Sequence, residues 1–293
     1  MKRPWLVYGL AFLGGLILFI FLLFILGAFA LVFLEHKALS GPKLAVLEVN
    51  GVILQGEPYL SALREIRERK DIKAMVLRID SPGGAVSACQ EIFEELKSLR
   101  SKKPLIVSIG GVAASGGLYL ALAGEKIYIN PGSITGSIGV LIQLPNLEKL
   151  MEKIGISTET IKSGEFKDTG TSLRKLSPKE REYLQKLVNT LHLQFVKAVS
   201  EERKIPLDQV KALADGRVFT GEEAIKLKLA DEIGNFYKAV EYAKQKAGLK
   251  EPVLIYFPEK KGFLKRLFEG KLPLNPQEIL DPYSIRVFYL HKF

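Results

Sequence analysis

Between Trp5 and Leu34 the chain carries no charged residue, thirty consecutive positions rich in Leu, Phe and Ile. As a helix rising 1.5 Å per residue, that run reaches about 45 Å, more than the ~30 Å hydrocarbon core of a bilayer. A helix of a water-soluble domain keeps a polar face, and this run has none. The sequence therefore predicts an uncleaved membrane anchor over residues 5–34. A cleaved leader competes with that reading, because Ala28-Phe29-Ala30 fits a small-x-small cleavage pattern. The apolar run is too long for a leader core, however, and continues past the candidate cut through Leu31 to Leu34. Lys2 and Arg3 precede it while Glu35, His36 and Lys37 follow, a bias toward an inside N-terminus and an extracytoplasmic remainder.

Beyond the anchor there is ample material for a core. The chain has 293 residues, 47% of them hydrophobic, enough for one large domain. The net charge of +10 is spread along the sequence without an Arg-rich run or an aromatic-interleaved basic stripe. That distribution argues against nucleic acid and for proximity to anionic lipid. A single cysteine, Cys89, excludes an internal disulfide and a cysteine-based metal cluster. It falls in an amphipathic helical pattern and reads as a small buried side chain.

Hydrophobic patterning then organises the chain. Strands are predicted at Lys43–Val49, Ala74–Ile79, Leu105–Ile109 and Lys126–Ile129, with helices at Tyr59–Lys70 and Val86–Leu99 between them. This alternation is the βαβ rhythm of a mostly parallel sheet covered on both faces. Further on, Ser177-Pro178-Lys179-Glu180 is a capping box with proline at the first helical position, and it opens a long helix that ends before Pro206. Helices follow near Leu207–Ala214, Gly221–Leu227 and Asn235–Ala247, then a strand at Val253–Phe257. Three segments result: an anchor (1–40), a folded domain (41–258) and a tail (259–293).

The run Gly110-Gly111-Val112-Ala113-Ala114-Ser115-Gly116-Gly117-Leu118-Tyr119 sets a serine among residues with almost no side chain, between an apolar strand and an apolar helix. Small neighbours admit a substrate backbone, and a helix start at Ser115 favours negative charge there. On its own the run is also an ordinary glycine-rich turn into a buried helix. A histidine base is poorly supplied, since His36 abuts the anchor, His192 lies within an amphipathic helix and His291 is two residues from the end. The Gly-x-Ser-x-Gly elbow is absent too, with Ala113 at the first glycine position. A neutral lysine is the other available base. Lys167, in the polar loop Ser163–Gly170, stands apart from lysines on helix faces, although on the residues alone an ordinary solvated loop lysine fits its setting better. Asp168 beside it has to point away for that lysine to lose its proton. Ser81-Pro82-Gly83-Gly84 lies where a strand meets a helix and offers backbone N–H groups to a developing oxyanion. No Gly-Lys-Ser/Thr follows any glycine cluster, so a phosphate cradle is disfavoured.

Taken in order, Ser81-Pro82-Gly83-Gly84, Ala113-Ala114-Ser115-Gly116-Gly117, Thr135-Gly136-Ser137-Ile138-Gly139-Val140 and Gly164-Glu165-Phe166-Lys167-Asp168 resemble the signal peptide peptidase A (protease IV) family of membrane serine peptidases, within the ClpP/crotonase superfamily. The resemblance implies an α/β fold of repeated ββα units wound as a spiral. It implies Ser115 as nucleophile, Lys167 as general base and Ser137 as hydrogen-bond partner of the lysine. The amides near Gly83, Gly84 and Gly116 would form the oxyanion hole. No metal or cofactor is implied. Expected substrates are signal-peptide remnants and other apolar peptides at the membrane. The family's long form carries two tandem copies; this chain holds serine and lysine in one, which implies a homo-oligomeric ring, an octamer by analogy. The alternatives are an acyl-CoA hydratase or isomerase on the same fold and a non-catalytic, peptide-binding membrane scaffold.

Overall fold

The computed structural model describes residues 14–15, 18–27, 29, 41–258 and 288–290. The chain divides into two compact units, residues 1–42 and 43–293. In the first, residues 18–27 are helical, and the large apolar side chains from Leu18 to Leu26 are all exposed. The remainder of the expected anchor lies outside the described residues. Among the described residues no helix is long and apolar enough to cross a membrane.

The second unit is built on one eight-stranded sheet. Its main path runs β7 (Val218–Thr220), β6 (Ile134–Gly136), β4 (Leu105–Ala114), β2 (Ile72–Ser81), β1 (Lys43–Asn50) and β9 (Val253–Phe257). β5 (Lys126–Ile129) also pairs with β4, and β8 (Glu232–Ile233) pairs with β5. All of these pairings are parallel except β6 with β7. A parallel sheet needs cover on both faces, and continuous apolar strands are the consequence. Alternate residues of the central strands accordingly enter two separate cores. Ala45, Leu47, Met75, Leu77 and Val107 join the larger one, under α1 (Glu57–Glu68), α2 (Val86–Arg100) and the other helices of that side. Leu44, Val46, Ala74, Val76 and Ile106 join the smaller one, against Ala239, Val240 and Ala243 of a single later helix, Phe236–Lys246.

The central strands run longer than their apolar cores predict. β4 continues five residues past Ile109, to Ala114, and a local irregularity explains why. Ile79 pairs with Ile109 and Ser81 with Ala113, so Asp80 alone faces Gly110, Gly111 and Val112. The Asp80 carboxylate accepts from the N–H groups of Val112 (3.1 Å) and Gly111 (3.4 Å). A Cβ on Gly110 would sit 2.9 Å from that carboxylate. This bulge divides β4: residues 106–108 pair with β5, and residues 112–114 pair with β6. Such bulges re-aim a strand end, and here the strand end is Ser115.

From there α3 (Gly116–Ala121) enters the larger core. Its Tyr119 meets Phe93 and Phe195 edge-on, at centroid distances of 4.8 and 5.1 Å. Phe195 belongs to α5 (Pro178–Arg203), which follows the short α4 (Glu148–Lys153) and opens with the expected capping box. The Ser177 hydroxyl accepts from the Glu180 N–H, and the Ser177 N–H donates to the Glu180 carboxylate. Residues 157–162 form no strand and are exposed throughout. Truncating the fully buried Phe195 to alanine should cost about 3–5 kcal/mol and loosen α3. Chemical denaturation of the purified variant against the parent protein measures this loss.

Candidate active site

Three strand ends converge at the carboxyl edge of the sheet, where ligands of open α/β sheets bind. The first carries Ser115. This serine is buried, at 1% exposure, and has φ 54° and ψ −116°, a left-handed backbone that costs a non-glycine residue about 1–3 kcal/mol. The position is held by the main chain. The Ser115 N–H donates to the Gly136 carbonyl (2.8 Å), and the Ser115 carbonyl accepts from Tyr119 (2.9 Å). Its Oγ makes no hydrogen bond among the described residues. A strained serine with a buried, unsatisfied hydroxyl is costly for stability alone and points to function.

The second strand end supplies the glycines. After β2, residues Gly83–Ala85 form the short strand β3. A Cβ on Gly116 would lie 3.0 Å from the Gly84 nitrogen, 3.1 Å from Gly83 Cα and 2.6 Å from Cys89 Sγ. A Cβ on Gly84 would fall 1.9 Å from the Ile53 carbonyl. Gly83, Gly84 and Gly116 are thus brought together, and side chains are excluded at the last two. The Gly83 N–H is already engaged, donating to Ser81 Oγ at 3.1 Å, while Ser81 Oγ donates to the Gly51 carbonyl at 2.6 Å.

The third strand end holds Ser137. Ala114 and Gly136 are paired partners, so Ser115 and Ser137 are the residues that follow on adjacent strands. Ser137 is also left-handed (φ 51°), buried, and tied through its N–H to the Arg217 carbonyl (2.7 Å). It lines a cavity of about 420 Å³ with Val140, Leu141, Val188 and His192 among its walls. The His192 Nε2 is buried without a hydrogen-bond partner among the described residues. Helical spacing read His192 as an amphipathic-face residue; its place at this cavity was not legible from the sequence, because it depends on how α5 packs over residues 137–141.

Lys167 stands elsewhere. It is exposed, in a turn whose backbone N–H donates to the Gly164 carbonyl (3.1 Å), and it is not hydrogen-bonded to Ser115 Oγ. The Asp168 carboxylate pairs with Lys162 and with Arg174 (2.8 Å). Those two cations keep the Asp168 carboxyl below its usual range, Lys162 contributing most. Arg174 also grips the buried Glu180 (2.7 and 2.9 Å), which its hydrogen bonds hold well below the ordinary glutamate value. Thr169 Oγ1 donates to Glu180 as well, at 3.2 Å. The lysine loop is therefore clamped onto the start of α5. Arg174 was not singled out by the sequence reading, since nothing local marks one arginine as a bridge between two acids six residues to either side.

Cys89 is buried under Gly116, as its helical setting predicts. Burial pushes its thiol up to about 12. A group raised this far stays protonated across the neutral range, and the thiol is not the reactive form. The native protein should therefore resist iodoacetamide at pH 8 and incorporate one carbamidomethyl group after denaturation, a difference that intact-mass spectrometry reads directly.

Comparison with known proteins identifies the family. The model of Peptidase family S49 matches residues 97–250, which include Ser115, Ser137 and Lys167. A Synechocystis protein with the provisional name protease slr0021 is 43% identical over 215 residues, 73% of this chain and 77% of its own. An Enterococcus faecium protein with the provisional name signal peptide peptidase SppA is 33% identical over 254 residues, 82% of this chain and 74% of its own. The Arabidopsis thaliana chloroplastic serine protease SPPA is 38% identical over 204 residues, 69% of this chain but only 30% of its own. The chain belongs to peptidase family S49, the signal peptide peptidase A family.

Proposed function

We propose that the chain is a membrane-anchored serine endopeptidase that uses a Ser115–Lys167 dyad on apolar peptides, cleaved signal peptides among them. The observation that carries this reading is Ser115 itself: strained, buried, with an unsatisfied hydroxyl, beside backbone that only glycine permits. In this reading Ser115 Oγ attacks the peptide carbonyl while neutral Lys167 Nζ takes its proton. The amides of Gly84 and Gly116 receive the oxyanion, with Gly83 holding the turn through Ser81. Lys167 then returns the proton to the leaving amine, and water releases the acyl group by the same route in reverse. Ser137 orients the lysine. The cavity beside Ser137, walled by Val140, Leu141 and Val188, suits an apolar side chain of the substrate. No step calls on a metal or cofactor.

A lysine base must lose its proton, which desolvation promotes, yet Lys167 is exposed in the single chain. In the sequence leading up to it Ile154, Ile156, Ile161 and Phe166 are exposed as well, Ile161 by 95%. We assign this surface to contact between copies, in a homo-oligomeric ring where a neighbouring copy's Lys167 reaches Ser115. The anchor reading is supported by thirty residues without charge and by the bare apolar side chains of residues 18–26. We place the domain outside the cytoplasm on the flanking charges, and assign the repeated ββα spiral of the ClpP/crotonase superfamily from the ordered motifs.

Turnover of a fluorogenic apolar peptide by the purified protein tests the dyad. Ser115→Ala and Lys167→Ala should each lower kcat/KM by at least about 10³, the scale on which nucleophile and base losses register. Mixing the two inactive variants and letting subunits exchange should restore activity, because one copy then supplies serine and the other lysine. The parent's rate should climb into alkaline pH as the lysine deprotonates; a single inflection near ~6.5 would point to histidine instead. Full activity in Ser115→Ala would overturn the peptidase reading.

A further inference from the structure

The proposed base has an acid as its chain neighbour, since Asp168 follows Lys167 directly. An aspartate left beside a lysine favours the charged ammonium and keeps the proton on it. Here the Asp168 carboxylate is engaged from two sides. Lys162, itself exposed, meets Oδ1. Arg174 donates to Oδ2 from both Nε (3.0 Å) and Nη2 (2.8 Å). The same guanidinium donates to Glu180 Oε2 from Nη1 (2.9 Å) and to Glu180 Oε1 from Nη2 (2.7 Å). Only a planar, forked donor set can grip two carboxylates in this way.

The charges around the loop come from every element that touches it. The segment before Lys167 supplies Lys162 and Glu165, the segment after it Arg174, and the start of α5 Lys179 and Glu180. Among the described residues their ion pairs balance: Lys179 with Glu165 (3.1 Å), and Lys162 and Arg174 with Asp168 and Glu180. On the other side of the lysine, Phe166 packs on Tyr183 of α5 at a centroid distance of 5.2 Å. Lys167 therefore lies between two anchored neighbours while remaining exposed itself. The anchor is firm because Glu180 is buried and also closes the capping box of α5, so the guanidinium cannot follow Asp168 if that side chain swings.

We propose that Arg174 is a positioning residue for the proposed base: by binding Asp168 and Glu180 with one guanidinium, it occupies the carboxylate beside Lys167 and keeps it from pairing with the Lys167 ammonium. The proposal rests on the peptidase reading above. Arg174 acts through Asp168 and takes no part in the chemistry. Its consequence lies in the pH dependence, because a base that holds its proton more tightly needs a higher pH to work.

Two readouts on the full-length protein test it: the alkaline limb of kcat/KM on a fluorogenic apolar peptide, and the pH dependence of Lys167 acetylation by acetic anhydride, followed by mass spectrometry. Arg174→Gln releases Asp168 and should move both limbs to higher pH by about one unit. In the Asp168→Asn background the same change should move them less than half as far, because the carboxylate it would release is gone. An arginine with a merely structural role would lower Tm or kcat alike in both backgrounds and leave the limbs in place. Arg174→Gln also leaves Glu180 buried without its partner, which is destabilising. If that variant does not fold, Arg174→Gln/Glu180→Gln removes the unpaired charge and should show the same upward shift. If cleavage proceeds while the limbs stay put, or shift equally with and without Asp168, the role of Arg174 is wrong and the peptidase reading survives. If the labelling limb moves as described but no form of the protein cleaves anything, the hold on Asp168 stands and the peptidase reading falls.

Discussion

The structure depends on a backbone approach that tolerates no side chain. Where β3 passes the start of α3, Gly84 lies against the Ile53 carbonyl and Gly116 lies against Gly84. Any Cβ at these points would drive main chain into main chain, which no rotamer change relieves. The approach joins the ends of β2 and β4 tightly enough to fix the serine between them in a conformation it would not adopt freely. The surrounding core supplies what this strain costs. The larger cluster runs beneath the site from β1 to α5, and Tyr119, wedged between Phe93 and Phe195, keeps α3 from unwinding.

The division of β4 is the second half of the same device. A regular strand would pair with one neighbour along its whole length and deliver Ser115 to the wrong place. The bulge opposite Asp80 lets the first half follow β5 and the second half follow β6. Gly136 then accepts from Ser115, and Ser137 comes alongside it. Both serines end up left-handed and buried. The lysine loop is built on another principle, electrostatic rather than steric. Arg174 binds Asp168 and Glu180 at once, fixing the base of the loop while Lys167 is presented outward.

Much of this could be read in advance, for reasons that differ from element to element. β1 and β5 were legible because strands buried on both faces are continuous apolar runs, and β9, a half-buried edge strand, because its five residues are all apolar. The long helix 178–203 was legible because its capping box is a local signal. What escaped were features defined by partners distant in sequence: the extension of β4 past its apolar core, the short strands β3, β6, β7, β8 and β10 (Phe288–Leu290), and the Arg174 bridge. A three-residue strand has no periodicity to detect, and exists because a neighbour is there to pair with it. The glycines around Ser115 were suggestive in sequence as room for a substrate, and the structure gives two of them a more basic duty in letting backbones meet. Lys167 stood apart in sequence only as a lysine in a polar loop rather than on a helix face, and its role as base came through family resemblance.

The central claim is that Ser115 becomes acylated. Intact-mass spectrometry of the full-length protein, quenched in acid within the first turnovers on an activated ester of an apolar peptide, addresses it directly. The account predicts a mass increase of one acyl group per chain, mapping after digestion to the fragment that carries Ser115 and missing from Ser115→Ala. Steady hydrolysis with no adduct on that fragment, or an adduct that persists in Ser115→Ala, would contradict it.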